Sequence, residues 1–551
     1  MTTGANHGQD VVADAGDRRA VAVIHVDAPQ SDLGPEVLGF KAFNLARMAA
    51  LGLPVPPAFV IGTGWCVSGA PLDDALWRQA LETLERLSGL RFGDTRRPLM
   101  LSVRSGSVVS MPGMMDTLLN IGLTDATLPG LIRSSGHPRL AWDAYRRLIA
   151  GYGEIVMGID PTLFESDLDA IRGDVDERAL DFASLRALAR RHLATYLRAS
   201  GEAFPQDPHV QLRRAIAAVF ASWYGDKART YRELHGIAHD LGTAVTVQRM
   251  VFGNAGGLSG AGVGFTRDPN SGERRPWIDF LFNAQGEDVV SGRRCAHGHE
   301  QLAIVAADVW QRLLEAVERL EIFFRDMQDF EFTVQQGQLY LLQTRDGKRT
   351  PLAAARIALD LLEEGVIDVE TARERTRGLD WTVLTQRRIA DTDGSLSEPL
   401  ASGSGAASGV VRGELVLDET RARMRSAAGE PVILVRQDAE TRDIAALEVA
   451  EGLLTRRGAR TSHAAVVARQ LGKVCVVGCD ALLIDEDART ITLGGQTLRE
   501  GAWLTLDGNE GAVYAGAANL VEFVPEGLLA RLDRLHSGSG LAGSTEDARQ
   551  G

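Results

Sequence analysis

Cysteine is scarce in this chain: four in 551 residues, at positions 66, 295, 475 and 479. So few cannot build a disulfide framework, which fits a reducing compartment and an expectation of a cytoplasmic protein. Cys475 and Cys479 lie close together, but no second Cys or His pair completes a four-ligand metal set, so both read as small buried residues of a strand and its end. Long apolar runs are missing too. None approaches the ~18 residues a membrane span needs, so no membrane association is expected. Met1 to Arg19 is polar and acidic, without the basic and apolar regions of a signal peptide. Positive charge is the minority: Lys plus Arg number 59 against 73 Asp plus Glu, a formal net charge of −14. That excludes the broad basic surface of a nucleic-acid groove, but not a local pocket for a nucleotide.

What is there reads as several α/β units in succession, without an internal repeat. Residues 1–20 and 536–551 read as flexible tails. Short apolar strands such as Leu99–Val103 mark the region from residue 21 to about 121, and residues 125–240 turn helical. Strands and glycine-rich turns return from Thr243 to Arg345, around one helix near 306–326. Residues 346–400, with charged amphipathic helices and the polar run Asp391–Ser397, read as a helical linker. The Gly/Ser/Ala-rich stretch from Ala401 opens a small α/β domain ending near Phe523.

The densest chemical signal is Thr455-Arg-Arg-Gly-Ala-Arg-Thr-Ser-His463-Ala-Ala-Val-Val-Ala-Arg-Gln-Leu-Gly472. A strand ends at Thr455, Thr461 and Ser462 are N-cap candidates, and Gly472 suits the residue after a helix. His463 therefore falls in a first helical turn. There the helix dipole disfavours imidazolium and keeps the ring nucleophilic, and unpaired N–H groups can stabilise a phosphorylated ring. The string resembles the phosphohistidine signature of the pyruvate phosphate dikinase and phosphoenolpyruvate synthase families. Ala459 and Arg460 stand where that family has Gly and often Met.

The N-terminal strings point to the dikinase side of that resemblance. Ser102-Val-Arg104-Ser-Gly-Ser-Val-Val-Ser-Met-Pro-Gly-Met-Met-Asp-Thr-Leu-Leu-Asn is similar to the dikinase nucleotide-domain signature, and Phe204-Pro-Gln-Asp-Pro and Met250-Val-Phe-Gly-Asn agree. The resemblance runs from about residue 35 to 520. It implies an α/β multi-domain fold: an ATP-grasp nucleotide-binding domain over 21–345 with a helical insertion, then a swivelling phosphohistidine domain over 401–523. Lys41 and Arg104 resemble the family's cationic contacts to the triphosphate. In Asp329-Phe-Glu331-Phe-Thr-Val, period two puts the carboxylates on one face and Phe330, Phe332 and Val334 toward a core. Gln336-Gly337 reads as a hairpin turn, after which Gln343 and Arg345 share a face. With the resemblance, Asp329, Glu331 and Gln343 are candidate Mg²⁺ ligands and Arg345 a contact to the transferring group. Gln248 and Glu287 are carried over as further nucleotide neighbours. The run Phe252–Gly264 reads as a flexible glycine loop over the phosphates.

The expected reaction is the first half of a dikinase cycle, in which ATP and phosphate phosphorylate His463 and release AMP and pyrophosphate. Pyruvate is the expected eventual acceptor. The family's pyruvate/PEP barrel has no counterpart before Gly551, so the expectation places it on a separate protein. Alternatives are transfer to another small-molecule acceptor, or a non-catalytic nucleotide-binding regulatory homologue. Thr461 matches the family's regulatory phosphorylation position, which implies a regulatory kinase or phosphatase as a partner. Cys295, His297 and His299 lie in a segment that departs from the family and reads as an exposed loop.

Overall fold

In the computed structural model, residues 11–12, 18–26, 28, 32–69, 74–109, 111, 114–173, 175, 177–290, 298–390, 398–438, 443–458, 460 and 463–537 are described. The side chains of Glu287 and His463 are outside that description, as are all of Thr461, Ser462, Cys295, His297, Asp391–Ser397 and residues 538–551. The chain is a mixed α/β protein that divides into two compact units. Residues 1–259 with 333–344 make the first, and residues 260–332 with 345–551 the second. None of the described helices is long and apolar enough to cross a membrane.

The first unit is built on a six-stranded sheet in the order Val11–Val12, Val21–Ile24, Ala58–Ile61, Thr243–Arg249, Leu101–Ser107, Thr117–Ile121. Helices such as Pro138–Met157 and Phe182–Ser200 share its core, where Tyr145, Tyr152 and Tyr196 are fully buried with Val103, Val245 and Val247. Their ends follow local rules: the Asp181 carboxylate accepts from the Ser184 N–H at 2.8 Å, and Gly201 closes the same helix with a left-handed φ of 76°. The reading of residues 1–20 as a tail fails at two places. Val11 pairs with Ala22, and Ala20 is 1% exposed, with the Arg18 guanidinium bonded to Thr63 and Leu241. Backbone pairing of residues 11 and 12 with 22 and 21, and the buried Ala20, give parts of that segment a fixed place.

The second unit contains strands Gly260–Phe265 and Trp277–Phe282, neighbours in a four-stranded sheet completed by Gln328–Gln335 and Gln338–Asp346. The glycine run proves to be only half loop. Gly260, Gly262 and Gly264 lie in a strand, and a Cβ on each would stand 2.1 Å from Phe280, 2.4 Å from Phe332 and 2.8 Å from Phe330 respectively. These glycines are there for bareness: the phenyl rings rest on naked backbone. The turn between residues 253 and 258 remains the only part of the run able to act as a loop.

The helix Pro351–Glu363, expected as a linker, is packed. Its Ala353, Ile357 and Leu361 share a buried cluster with Phe265, Met327, Leu528 and Leu532. The C-terminal helix Glu526–Ser537 runs into the stretch read as a tail, because Leu528, Leu532 and Leu535 form a buried stripe and His536 Nε2 lies 3.0 Å from the Thr376 hydroxyl. Toward the C-terminus an eight-stranded sheet has a parallel centre, Val410–Val416, Val432–Arg436, Gly452–Thr455 and Val474–Val477, in that order. Cys475 and Cys479 are buried and free, as small core residues of a strand and its end.

Candidate active site

In the first unit one chain break gathers the cations. The helix Pro35–Ala50 is interrupted at Gly39, whose φ of 70° and ψ of 156° are not helical. A Cβ at Gly39 would fall 1.9 Å from the carbonyl oxygen of Gly106, so only glycine lets the strand Leu101–Ser107 come this close. Lys41 follows just after the break, its Cβ 3.7 Å from where a Cβ on Gly106 would stand. Arg104 lies on the same strand face as Gly106, about 6.6 Å away at the usual rise of a strand. Its Nη2 donates to the side-chain oxygen of Gln343 at 3.3 Å. Lys41, Arg104 and Gln343 are thus brought together. Gln248 is buried, and its amide donates to the Pro56 carbonyl at 3.1 Å, which holds the 54–57 segment.

The strand Gln328–Gln335, which belongs to the second unit as far as Phe332, alternates as the sequence requires. Phe330, Phe332 and Val334 are at most 1% exposed, while Asp329 and Glu331 share the other, partly open face. Arg345 Nε donates to Asp329 Oδ2 at 2.8 Å. Burial, which outweighs the attraction of Arg345, and the neighbouring Glu331 hold the Asp329 carboxyl above the usual carboxylate range. A buried acid that resists ionisation beside a second acid is a place where a hard cation would relieve the field. Asp329 and Glu331, both in the second unit, therefore fit as oxygen ligands to Mg²⁺. Among the described residues no cluster of three or more His, Cys, Asp or Glu forms an alternative metal site.

His463 is the first residue of the helix His463–Gln470, which follows the C-terminal end of the parallel strand Gly452–Thr455. Carboxyl ends of parallel strands are where open α/β sheets bind ligands. Two small residues of this helix are fully buried. Ala465 and Ala468 share a buried cluster with Leu453, Cys475 and Val477, and Gly472 turns the chain with a φ of 66°. The side chains of His463 and Glu287 and the whole of Thr461 are outside the described residues, so only their places in the chain bear on the site.

Two arginines that the sequence reading did not select fasten this helix to the strand Trp277–Phe282. Arg460 pairs with Asp279 at 3.1 Å, donates to the Ile278 carbonyl at 3.3 Å and stacks 4.5 Å from the Trp277 ring. Arg469 is 5% exposed and lies 5.3 Å from Trp277 and 5.5 Å from Phe265. It donates to the Ala406 carbonyl at 2.6 Å and the Arg460 carbonyl at 3.3 Å, and burial pushes its guanidinium down to about 10. Arg460 was visible only as a departure from the family string. Arg469 carried no local signal at all.

Arg469→Ala is expected to destabilise the second unit by about 3 kcal/mol, because one buried and one part-buried carbonyl lose a charged donor and a cavity opens beside Trp277. Urea unfolding followed by tryptophan fluorescence checks this. A midpoint equal to wild type would mean the arginine only fills space.

Residues 66–297 match the family "Pyruvate phosphate dikinase, AMP/ATP-binding domain", and residues 428–511 match "PEP-utilising enzyme, mobile domain". The pyruvate, phosphate dikinase of Clostridium symbiosum is 42% identical over 510 residues, covering 90% of this chain and 58% of that protein. Pyruvate, phosphate dikinase 2 of Zea mays is 42% identical over 494 residues, covering 87% and 56%. The chloroplastic pyruvate, phosphate dikinase 1 of Arabidopsis thaliana is 41% identical over 490 residues, covering 87% and 51%. The chain thus spans a little over half the length of these curated relatives. Over the length they share, the chain is similar to the pyruvate phosphate dikinases, matching their AMP/ATP-binding region and, toward the C-terminus, the mobile domain of PEP-utilising enzymes.

Proposed function

We propose that this protein catalyses ATP-dependent phosphorylation of its own His463. The ring attacks the β-phosphorus of ATP, the bond between the α- and β-phosphoryl groups breaks, and AMP leaves. The terminal phosphoryl group passes to inorganic phosphate, giving pyrophosphate. Lys41 and Arg104 neutralise the triphosphate, and Arg345 offsets charge that develops on the transferring group. Mg²⁺, held by Asp329, Glu331 and Gln343, would supply a further Lewis acid there. Gln248 and Glu287 border the nucleotide. The observation that carries this reading is the fastening of the His463 helix, through Arg460 and Arg469, to the strand of Asp279 within the unit that also holds Asp329, Glu331 and Arg345.

The fold that goes with this activity is an ATP-grasp nucleotide domain followed by a phosphohistidine domain, residues 401–523, that swivels between sites. Pyruvate is the proposed final acceptor. Among the described residues no (β/α)₈ barrel is present, and the proposed acceptor site is a barrel on a separate protein. A phosphate placed on Thr461 by a regulatory kinase would crowd the imidazole and repel the incoming polyphosphate.

The test uses purified protein, Mg²⁺, phosphate and ATP labelled at the β or γ position. Acid-labile label from the β position, with AMP released, is expected in wild type and absent in His463→Ala. No label and no AMP from a protein that still binds ATP would reject the enzyme reading and leave a regulatory nucleotide-binding role.

A further inference from the structure

A second concentration of positive charge lies in the first unit, away from Lys41. It is a cavity of about 640 Å³ at the end of the strand Leu101–Ser107 where Met100 enters, and Arg96, Arg97, Arg133 and Arg249 all line it. Among the described residues no Asp or Glu lines it, in a chain that carries 73 of them. Arg133 is fixed: its Nη2 donates to the Thr95 carbonyl at 2.8 Å, which ties the helix Leu128–Ser135 to the loop that presents Arg96 and Arg97. The Arg249 Nε is buried and has no hydrogen-bond partner among the described residues. Met100 and Phe252, 2% and 8% exposed, give the cavity an apolar floor. The N–H of Phe252 is held at 2.8 Å by Gln335, so that floor is braced.

We propose that this cavity is a second ligand site, for an organic phosphate with a flat apolar body, the class to which nucleoside monophosphates belong. Four guanidiniums without a carboxylate demand an anion, and their forked donors match phosphate oxygens. Volume and floor demand more than an inorganic ion, since 300–1,000 Å³ is the usual range for pockets that enclose small organic ligands. The site is not the phosphate end of the proposed ATP site. Arg104 is further along the strand that begins beside Met100, about 13 Å away at the usual rise. A nucleotide whose phosphates rest on Lys41 and Arg104 would bring no phosphate to these arginines. That last step rests on the reading of Lys41 and Arg104 given above.

The test is calorimetric titration of the full chain with AMP, repeated with inorganic pyrophosphate. Wild type is expected to bind two AMP per chain. The variant Lys41→Ala/Arg104→Ala should keep one of them. The loop variant Arg96→Ala/Arg97→Ala should weaken that retained site at least tenfold and leave the other unchanged, with circular dichroism confirming that each variant is folded. Arg249→Lys, which preserves charge but removes the fork, should weaken it severalfold. A single AMP per chain, lost in Lys41→Ala/Arg104→Ala, would overturn the second site while upholding the proposed ATP contacts. Two AMP sites, neither affected by Lys41→Ala/Arg104→Ala but one weakened by the loop variant, would uphold the second site and reject those contacts. Pyrophosphate binding as tightly as AMP to the arginine site would overturn the organic-ligand assignment.

Discussion

Asp329→Asn is expected to lower β-phosphoryl labelling of His463 by about a thousandfold while making the apo-protein more resistant to heat at pH 7. The loss follows from the proposed role, because an amide oxygen binds a divalent cation far more weakly than a carboxylate, and electrostatic contacts of this kind supply about 10²–10³ in rate. The gain follows from burial. Desolvation holds the Asp329 carboxyl above its ordinary range despite the ion pair with Arg345. The folded state therefore binds this proton more tightly than the unfolded state does. The stability it contributes is fully present below the ordinary carboxylate range and is lost as pH rises through the elevated value. Asparagine copies the protonated form without titrating. The advantage of the variant should be largest at neutral pH and shrink as the pH falls below the elevated value, where wild type is itself protonated. Mg²⁺ should raise the melting midpoint of wild type and not of the variant. A variant that melts below wild type at pH 7 would recast Asp329 as a structural partner of Arg345.

Gly39→Ala should be nearly as damaging, and for reasons confined to the backbone. A left-handed φ costs an L-residue about 1–2 kcal/mol. The new methyl carbon would also lie 1.9 Å from a backbone oxygen of Gly106 that cannot rotate away. Together these predict a loss of more than about 3 kcal/mol from the first unit. The helix carrying Lys41 must then move off the strand carrying Arg104, so ATP affinity should fall at least tenfold even where the protein remains folded. Urea unfolding and nucleotide titration measure the two effects separately. Wild-type affinity in a folded variant would show that the break at Gly39 does not position Lys41.

The sequence revealed most where chemistry and local periodicity coincide. The alternation from Asp329 to Val334 appears in the strand as read, and Gln336 and Gly337 turn the hairpin with φ of 50° and 78°. Gly472 closes the histidine helix where a left-handed residue was expected. The glycine run was read half wrongly because glycine looks the same whether the chain needs freedom or bareness. What decided it, the phenyl rings at 280, 330 and 332, lies far along the chain. Arg469 and Arg460 were missed for the same reason: their partners Trp277 and Asp279 come from a strand about 180 residues earlier. The Val11–Val12 strand lay inside a segment whose overall composition is polar and is held there by backbone pairing with Val21 and Ala22, and the C-terminal helix ends two residues into the other such segment.

The bare strand Gly260–Phe265 has an evolutionary corollary. Where a ring occupies the room that a neighbouring strand's own side chains would take, glycine and phenylalanine are a single inherited character split between two positions. Neither half can drift alone, since a methyl gained at Gly262 collides with Phe332, and a phenyl lost at Phe332 leaves a hole over bare backbone. Among homologues the two positions should change together or not at all, and an alanine at 262 should be tolerated only beside a smaller residue at 332.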